Sequence, residues 1–350
     1  MPDAANDRDS AVGVAFGLAE EPQHGHVGQG KPDEDMSDTP NRTLAAFGAV
    51  LIYAGVIAYT DNYVRVIARD AGLWQFHATR TAMAFALLAL VALPLGLRLR
   101  PKRPGAVLAR SAIHGAAMVI YFGALAFLPV AQVAAGLFTA PIFVLLIQRF
   151  VYGKPILGLQ ILAVVVGFAG VVLVLGPEAL SGATFAALLP VISGALYAMG
   201  NIATREWCEG ESPETIVAGF FGMLGVIGLL GMALLWAFPM AVPEGPEGFL
   251  QRGPVWPTGA FLWWTFVQAA GSLLGVGMIV KAYQIAEASR VSVFEYVILP
   301  ASAAWGFLLW GETLSWLAIA GMGLIVLAGV LIARPQRLPQ KVQSPTASRQ

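Results

Sequence analysis

Cysteine, histidine and charged residues are scarce in this sequence. Its 350 residues include one cysteine, Cys208, and four histidines, which excludes an intrachain disulfide and a cysteine-based zinc site. Aspartate, glutamate, lysine and arginine together make up 12% of the chain, about half of their usual share in soluble proteins. The 21 basic and 21 acidic residues balance, so nothing indicates a nucleic-acid partner.

Hydrophobic residues, in contrast, make up 57% of the chain, and the mean hydropathy is +0.70. A soluble domain could not bury so much apolar surface and still present a polar exterior. Disordered chains are poor in hydrophobic residues, which excludes disorder for most of the sequence. The composition therefore predicts a polytopic integral membrane protein.

Ten hydrophobic stretches have the length that crosses a bilayer, about 20 residues for a hydrocarbon core of roughly 30 Å. They are continuous apolar runs rather than alternating segments of about ten residues, so we predict helices and not barrel strands. The predicted spans, named one to ten along the chain, are 44–68, 73–96, 107–127, 130–149, 156–176, 182–204, 213–238, 259–284, 289–309 and 313–333. The short connections between most of them predict antiparallel neighbours.

Lysine and arginine are unequally divided between the two sides of the predicted bundle. With the N-terminus in the cytoplasm, the inner segments carry 14 of them and the outer segments carry three, Arg65, Arg69 and Arg252. Basic residues accumulate on the cytoplasmic side of membrane proteins. We therefore predict a protein of the cell membrane (inner or plasma membrane) with both termini in the cytoplasm.

The two ends of the chain differ from the spans in composition. Residues 1–43 are polar, glycine-rich and acidic, which predicts a disordered tail. This tail lacks the basic start and apolar core of a signal peptide. Met36 stands shortly before span one, and we hypothesise that translation starts there and that 1–35 is a gene-model extension. Residues 334–350 are predicted to form a second disordered, cytoplasmic tail.

Two stretches that lie 159 residues apart share a pattern. Pro141 and Pro300 each lie inside a span and precede an apolar run, a polar turn and another span, and Gly170 and Gly329 correspond at the same separation. We predict two repeats of five spans, and an odd number per repeat inserts the second one inverted, as in many secondary transporters. The predicted repeats are 44–176 and 177–333. The alternative is that proline and glycine are simply common in membrane helices.

Short motifs occur at corresponding places in both halves. Those in the first half are Asp61 with Arg65 and Arg80, Leu128-Pro129-Val130-Ala131 with Ala140-Pro141-Ile142, and Gly167-Phe168-Ala169-Gly170-Val171. Those in the second half are Phe294-Glu295-Tyr296, Gly311-Glu312 and the stretch from Gly321 to Gly329. Over most of 44–335 the chain thereby resembles EamA-type transporters of the drug/metabolite transporter superfamily. It departs from their pattern at Gly153-Lys154, the counterpart of Gly-Glu.

This resemblance implies a ten-helix transporter of small polar metabolites, and transport in this superfamily is often coupled to protons or to exchange. Its members handle amino acids, nucleotide-sugar-like compounds, vitamins and S-adenosylmethionine. The motifs imply the fold and the general activity. The substrate, the coupling and the direction of transport stay open.

Charged residues inside a span indicate a functional site, because a charge in the hydrocarbon costs about 2.5–3.5 kcal/mol on insertion scales. Glu295 lies seven residues into span nine, beside Tyr296. We predict that these two residues form a site for a coupling proton or for a substrate amine. The alternative is a structural carboxyl that bonds a tyrosine hydroxyl or Arg290 and locks the helix.

A second charged group lies at the outer ends of spans one and two. Asp61 and Arg65 are four residues apart, which places them on one face of a helix, and Arg80 lies in span two. A guanidinium group binds a carboxylate through two parallel hydrogen bonds. We therefore predict a network of these three residues that captures a substrate carboxylate. The alternative is a clamp between helices.

Further polar and aromatic residues in the spans are candidates for lining a cavity. They are Tyr121 in span three, Tyr197 and Asn201 in span six, and Trp264 and Gln268 in span eight. The alternative is that they form hydrogen bonds between helices. Kinks are predicted at Pro141, Pro190 and Pro300, because proline removes a backbone hydrogen bond.

These features favour a secondary transporter of a small polar metabolite, such as an amino acid, that works by alternating access. The expected partners are the substrate, the lipid bilayer and, where transport is coupled, protons; no cofactor or metal is expected. The first alternative is an intramembrane lipid-modifying enzyme, although metalloprotease, serine-hydrolase and Cys-x-x-Cys motifs are missing. The second is a channel or a non-transporting membrane protein, although a charged ring or a filter-like glycine run is missing.

Overall fold

The computed structural model describes residues 40–97, 99–124, 130–176 and 188–333, and within these ranges all regular structure is helical. The helices of the described ranges form ten spans. Span one is Pro40–Asp61 with Val64–Asp70, two Leu73–Leu95, three Pro104–Ala124, four Val130–Leu137 with Ala140–Phe150, and five Gly158–Leu175. Span six is Leu188–Glu206, seven Pro213–Ala237, eight Gly259–Ile285, nine Ala288–Phe294 with the 3-10 turn Glu295–Val297 and Ile298–Trp310, and ten Trp316–Ala333. Of the predicted tails 1–43 and 334–350, residues 1–39 and 334–350 lie outside the described residues, whereas residues 40–43 already belong to the first helix.

Eight of these spans are long and apolar enough to cross a membrane by length and composition. The other two are span four, whose segment Ala140–Phe150 is shorter, and span six, which has 19 residues. Large apolar side chains are exposed along the outer faces of several spans, for example Leu90, Val165 and Leu230. Such a surface is what a bilayer solvates and water does not.

The packing partners of the spans reveal an internal two-fold arrangement. Span two packs against seven, and span five packs against ten. Span one packs against eight and nine, and span six packs in the same way against three and four. Spans two and eight are in contact, as are seven and three. Exchanging each span with the one five later maps this set of contacts onto itself, so the predicted fold class, an all-α membrane protein of two inverted five-helix repeats, is confirmed.

Spans five and ten meet at a pair of glycines. A Cβ atom added at Gly170 would lie 2.7 Å from the carbonyl oxygen of Gly321, and one added at Gly321 would lie 2.6 Å from the carbonyl oxygen of Gly170. Real Cβ atoms do not approach backbone oxygen this closely. The absence of a side chain at both positions therefore allows the two helices to touch, as small residues do at helix crossings in membranes.

Spans four and nine are interrupted at equivalent positions. Span four breaks between Leu137 and Ala140, just before Pro141, and span nine narrows to a 3-10 turn at Glu295–Val297, just before Pro300. In each case the proline ring conflicts with the carbonyl four residues earlier, which favours a break there. Pro190 is the third residue of the described helix of span six and lies under Gly136, where an added Cβ would be 2.2 Å from the proline Cβ. Its predicted kink stays a prediction.

The longest described connection, 239–258, is tied to the corner between spans one and two. Arg252 donates to the carbonyl oxygens of Ala68 at 2.7 Å and Ala71 at 3.2 Å. The Gln75 side chain both donates to the Val255 carbonyl and accepts from its amide, at 2.7 and 2.9 Å. We call the face of the bundle that carries this connection the loop side, and the face on which span one begins the N-terminal side.

Candidate functional site

The first polar centre in the bundle surrounds the carboxyl group of Glu295. This residue begins the 3-10 turn of span nine and is 7% exposed. Tyr197 of span six donates its hydroxyl to Oε2 at 2.5 Å, and Tyr283 of span eight donates its hydroxyl to Oε1. Asn201 of span six donates its amide to Oε1 at 3.5 Å. We call these four residues the Glu295 cluster.

The Glu295 cluster joins three spans around a carboxyl group that has no cation. The ion pairs found among the described residues do not include Glu295. Its oxygens instead receive hydrogen bonds from neutral hydroxyl and amide groups. These groups are compatible with both the charged and the protonated form of the acid. A buried carboxyl in such surroundings can take up a proton or bind the amine of a ligand.

Tyr296 lies away from this carboxyl group, although it is adjacent in sequence. Successive residues of a helix point in directions about 100° apart. The Tyr296 hydroxyl donates to the carbonyl oxygen of Phe138, at the break of span four, over 3.2 Å. Its ring contacts Gly167, where an added Cβ would lie 2.5 Å from the ring. The expected pairing of Glu295 with Tyr296 is thus replaced by Tyr197 and Tyr283.

Arg290, the other partner considered for Glu295, is occupied elsewhere. Its Nη1 donates to the Thr43 hydroxyl at 3.2 Å, and its Nε lies 3.7 Å from Glu287. Both contacts are at the N-terminal side. Span nine is therefore tied to the start of span one by Arg290, while the carboxyl of Glu295 faces spans six and eight.

The second polar centre lies nearer the loop side and contains Asp61, His77, Arg80 and Gln268, which we call the Arg80 cluster. Gln268 of span eight donates its amide to Asp61 at 2.6 Å and accepts from Arg80 Nη1 at 3.4 Å. Arg80 Nη2 lies 3.3 Å from His77 Nδ1. The glutamine amide thus stands between the acid of span one and the arginine of span two, so that the two charges do not form a direct ion pair.

Arg80 is held in place mainly by aromatic rings. Its guanidinium lies 4.9 Å from the ring of Phe76 and 5.4 Å from that of Phe221, and the residue is 6% exposed. Its Nε atom has no hydrogen-bond partner in the described part of the chain. A buried guanidinium that packs against aromatic rings and has unused donors can bind a planar carboxylate.

Arg65 does not join this network, contrary to expectation. The helix of span one ends at Asp61 and resumes at Val64. Because of this break, residues four apart, such as Asp61 and Arg65, no longer lie on one face of a helix. Arg65 instead pairs with Glu312 at 3.0 Å and lies 4.4 Å above the ring of Trp310, at the exposed loop side. It belongs to a contact between spans one and nine near the surface.

The two remaining aromatic candidates, Trp264 and Tyr121, have different surroundings. Trp264 stacks on Tyr63, with ring centroids 3.6 Å apart and an angle of 11° between planes. Tyr63 also contacts Trp310 edge-on, so these rings cover the bundle at the loop side. Tyr121 is half-buried in span three, and its ring lies 5.3 Å from that of Phe122.

Two buried residues in the polar interior have no role in the sequence-based site. Tyr283 lies in the last turn of span eight, and no motif marks it. Arg110 falls within the predicted span three, 107–127, and the structure buries it in this helix at 1% exposure. The small residues near it in the sequence, Ser111 and Gly115, are the sequence feature that indicates close packing around Arg110.

The chain is similar to one transporter family and to several proteins that are named as transporters. Residues 43–176 match the EamA-like transporter family. A riboflavin transporter from Rhizobium johnstonii is 28% identical over 267 residues, which cover 76% of this chain and 80% of the relative. A pseudopaline exporter from Pseudomonas aeruginosa is 26% identical over 293 residues, 82% of this chain and 96% of the relative. A riboflavin transporter from Vibrio cholerae is 26% identical over 82% of this chain and 93% of its own length.

A solved crystal structure shares the fold. It superimposes with a TM-score of 0.66 at 18% identity and covers 83% of this chain and 97% of its own. The resemblance to EamA-type transporters of the drug/metabolite transporter superfamily is therefore confirmed. The chain is an integral membrane protein related to transporters of small metabolites.

Proposed function

We propose that this EamA-type protein is a secondary transporter of a small metabolite that carries both an amine and a carboxylate, such as an amino acid. One observation carries the proposal: a buried acid, Glu295, and a buried base, Arg80, lie in the same bundle and neither forms an ion pair with a described residue. A zwitterion supplies the missing opposite charge to each of them. Transport of a neutral zwitterion also leaves the net charge of the bundle unchanged.

The relatives support the general activity and leave the substrate to the chemistry of the site. Their names describe export of pseudopaline and transport of riboflavin, which are different small molecules. The shared feature is therefore movement of a metabolite across a membrane. The choice of an amino acid rests on the Glu295 and Arg80 clusters.

Alternating access would follow from the two repeats, 44–176 and 177–333, rocking about their two-fold axis. Spans four and nine each have a break near the middle, and such breaks allow one half of a helix to tilt without the other. In this mechanism Arg80 holds the substrate carboxylate near the loop side, and Glu295 holds either the substrate amine or a proton. Competition between the amine and the proton at Glu295 would couple transport to the proton gradient.

We place the protein in the cell membrane with both termini in the cytoplasm, so that the N-terminal side is cytoplasmic. Among the described residues the N-terminal side carries Arg42, Arg100, Lys102, Arg103, Arg149, Lys154, Arg205 and Lys281. The loop side carries Arg65, Arg69 and Arg252. This excess of basic residues supports the orientation, because the cytoplasmic side retains them.

Counterflow in proteoliposomes tests the proposed function. Vesicles are loaded with one unlabelled amino acid at a time, and entry of its radiolabelled form is measured with and without the internal load. We expect transient accumulation above equilibrium for a subset of amino acids. Trans-stimulation distinguishes a carrier from a channel. Absence of counterflow for every amino acid, with riboflavin giving it instead, would refute the zwitterion proposal.

A further inference from the structure

A third buried cation, Arg110, lies in span three near the N-terminal side. Its Nε donates to the hydroxyl of Thr204 in span six at 2.9 Å. Its Nη1 atom is buried and has no hydrogen-bond partner in the described part of the chain. An arginine with one neutral side-chain acceptor retains most of its five donors for another group.

The neighbours of Arg110 on span three also have unused polar atoms. Ser111 Oγ and His114 Nδ1 are buried and unpartnered within the described ranges. Arg110 and His114 share Phe220 of span seven as a neighbour, at 5.9 and 5.1 Å from its ring. The His114 ring lies 4.8 Å from that of Tyr197, which binds Glu295. A row of polar groups thus runs from Arg110 to the Glu295 cluster.

Nothing in the described part of the chain neutralises Arg110. The ion pairs there join other residues, and Arg110 is not among them. Removing a charge from water without a partner costs several kcal/mol. Binding of an anion to Arg110 during part of the transport cycle would offset this cost.

The two equivalent span crossings differ in their polar partners. Spans one and eight meet at Asp61 and Gln268, and the equivalent spans six and three meet at Thr204 and Arg110. An acid stands at the first crossing, whereas a neutral threonine stands at the second. Among the described residues, the hydrogen bond at the second crossing therefore contains no carboxylate.

We infer that Arg110 is a second anion site, which receives the carboxylate or phosphate group of the substrate on the N-terminal side after Arg80 releases it. The inference rests on the proposed function and extends it with a position on the path. Arg80 and Arg110 would stand on opposite sides of Glu295, so that the substrate anion has a binding position in each half of the cycle. Thr204 orients the guanidinium through its hydroxyl, and the unpartnered His114 Nδ1 atom is a further polar group beside the site.

Residue-resolved modification by phenylglyoxal, which reacts with guanidinium groups, tests this site. Purified full-length protein in a nonionic detergent is treated with the reagent, and mass spectrometry measures the modification rates of Arg110, Arg80 and the exposed Arg100. The probes are inorganic phosphate and L-glutamate, with methylammonium chloride at equal ionic strength as the control. We expect either anion to slow modification of Arg110 about tenfold at about ten times its Kd, and to leave Arg100 unchanged.

Three results would overturn the inference. If Arg110 is modified and no anion slows the reaction, the group is only solvated and binds no anion. If Arg110 is not modified at all, solutes do not reach its position. Protection by phosphatidylglycerol micelles but not by the soluble anions would assign Arg110 to lipid. Arg80 separates the two proposals, because protection at Arg80 alone refutes only the second site, whereas loss of protection at Arg80 refutes carboxylate capture in the proposed function.

Discussion

Replacement of Glu295 by glutamine should uncouple transport from the proton gradient. Glutamine preserves the size of the side chain and one carbonyl oxygen for the hydroxyl of Tyr283. It removes the titratable group and places an amide donor against the hydroxyl of Tyr197, which must rotate to accept. We therefore expect the variant to fold and to bind substrate more weakly, through Arg80 without the charge of Glu295, while losing its ability to carry a proton.

The size of the effect follows from the number of carboxyl groups. The Glu295 cluster offers one acid, for which the substrate amine and the proton compete, so one proton is exchanged for each substrate molecule. One pH unit across the membrane corresponds to about 1.4 kcal/mol per proton, which sustains about a tenfold concentration ratio of a neutral zwitterion. Wild-type vesicles should reach this ratio, whereas Glu295→Gln vesicles should stop at equal concentrations.

The assay compares two measurements on the same vesicles. Net accumulation is followed after a pH jump of about one unit, and exchange is followed by counterflow at equal pH on both sides. Glu312→Gln is the matched control, because its carboxylate is 54% exposed and pairs only with Arg65 at the surface. Accumulation that persists in Glu295→Gln would refute proton coupling through this residue. A steady ratio near a hundredfold in the wild type would require a second proton, and Asp61→Asn would then identify its site.

Three further substitutions have defined outcomes. Arg80→Lys removes the two parallel donors that bind a carboxylate. Because charge-assisted hydrogen bonds contribute about 1.5–3 kcal/mol, the KM measured by counterflow should rise about ten- to a hundredfold. Arg65→Lys is the control, and its KM should stay near the wild-type value. Gly170→Ala places a Cβ 2.7 Å from backbone oxygen and should lower stability by about 1–3 kcal/mol in thermal unfolding. Gly323→Ala is the control and should leave stability unchanged, because its added Cβ would meet nothing within 4 Å. Equal Tm values for the two variants would contradict the close crossing. Tyr197→Phe removes a donor from the buried carboxyl and should destabilise the protein by about 1–3 kcal/mol, which an unchanged unfolding curve would disprove.

The fold was largely predictable because a bilayer restricts the backbone to a few solutions. Every polar backbone group must be satisfied within the membrane, so apolar runs of sufficient length become helices wherever they occur. The proline spacing of 159 residues likewise predicts equivalent interruptions, and spans four and nine break just before Pro141 and Pro300. These features depend on composition and local geometry, which a single sequence contains.

The partners inside the bundle were less predictable, because they depend on how each helix is rotated about its axis. Sequence proximity favours Tyr296 as the partner of Glu295, but the partners come from spans six and eight. The break at 62–63 likewise separates Arg65 from Asp61, although a continuous helix would place them together. A two-residue interruption of the helix in one span cannot be read from a hydrophobicity pattern, yet it decides which side chains meet.

The contact between the two interruptions links the chemistry of the site to the movement of the repeats. Tyr296 stands in the break of span nine, directly after Glu295, and its hydroxyl bonds the carbonyl oxygen of Phe138, which lies in the break of span four. Because span four belongs to the first repeat and span nine to the second, this bond crosses between the two units that would rock. A change of charge or ligand at Glu295 acts on the same turn that holds Tyr296. In the proposed mechanism, proton or substrate binding would therefore bias the relative position of the two repeats directly, since Glu295 and Tyr296 are neighbours in one 3-10 turn.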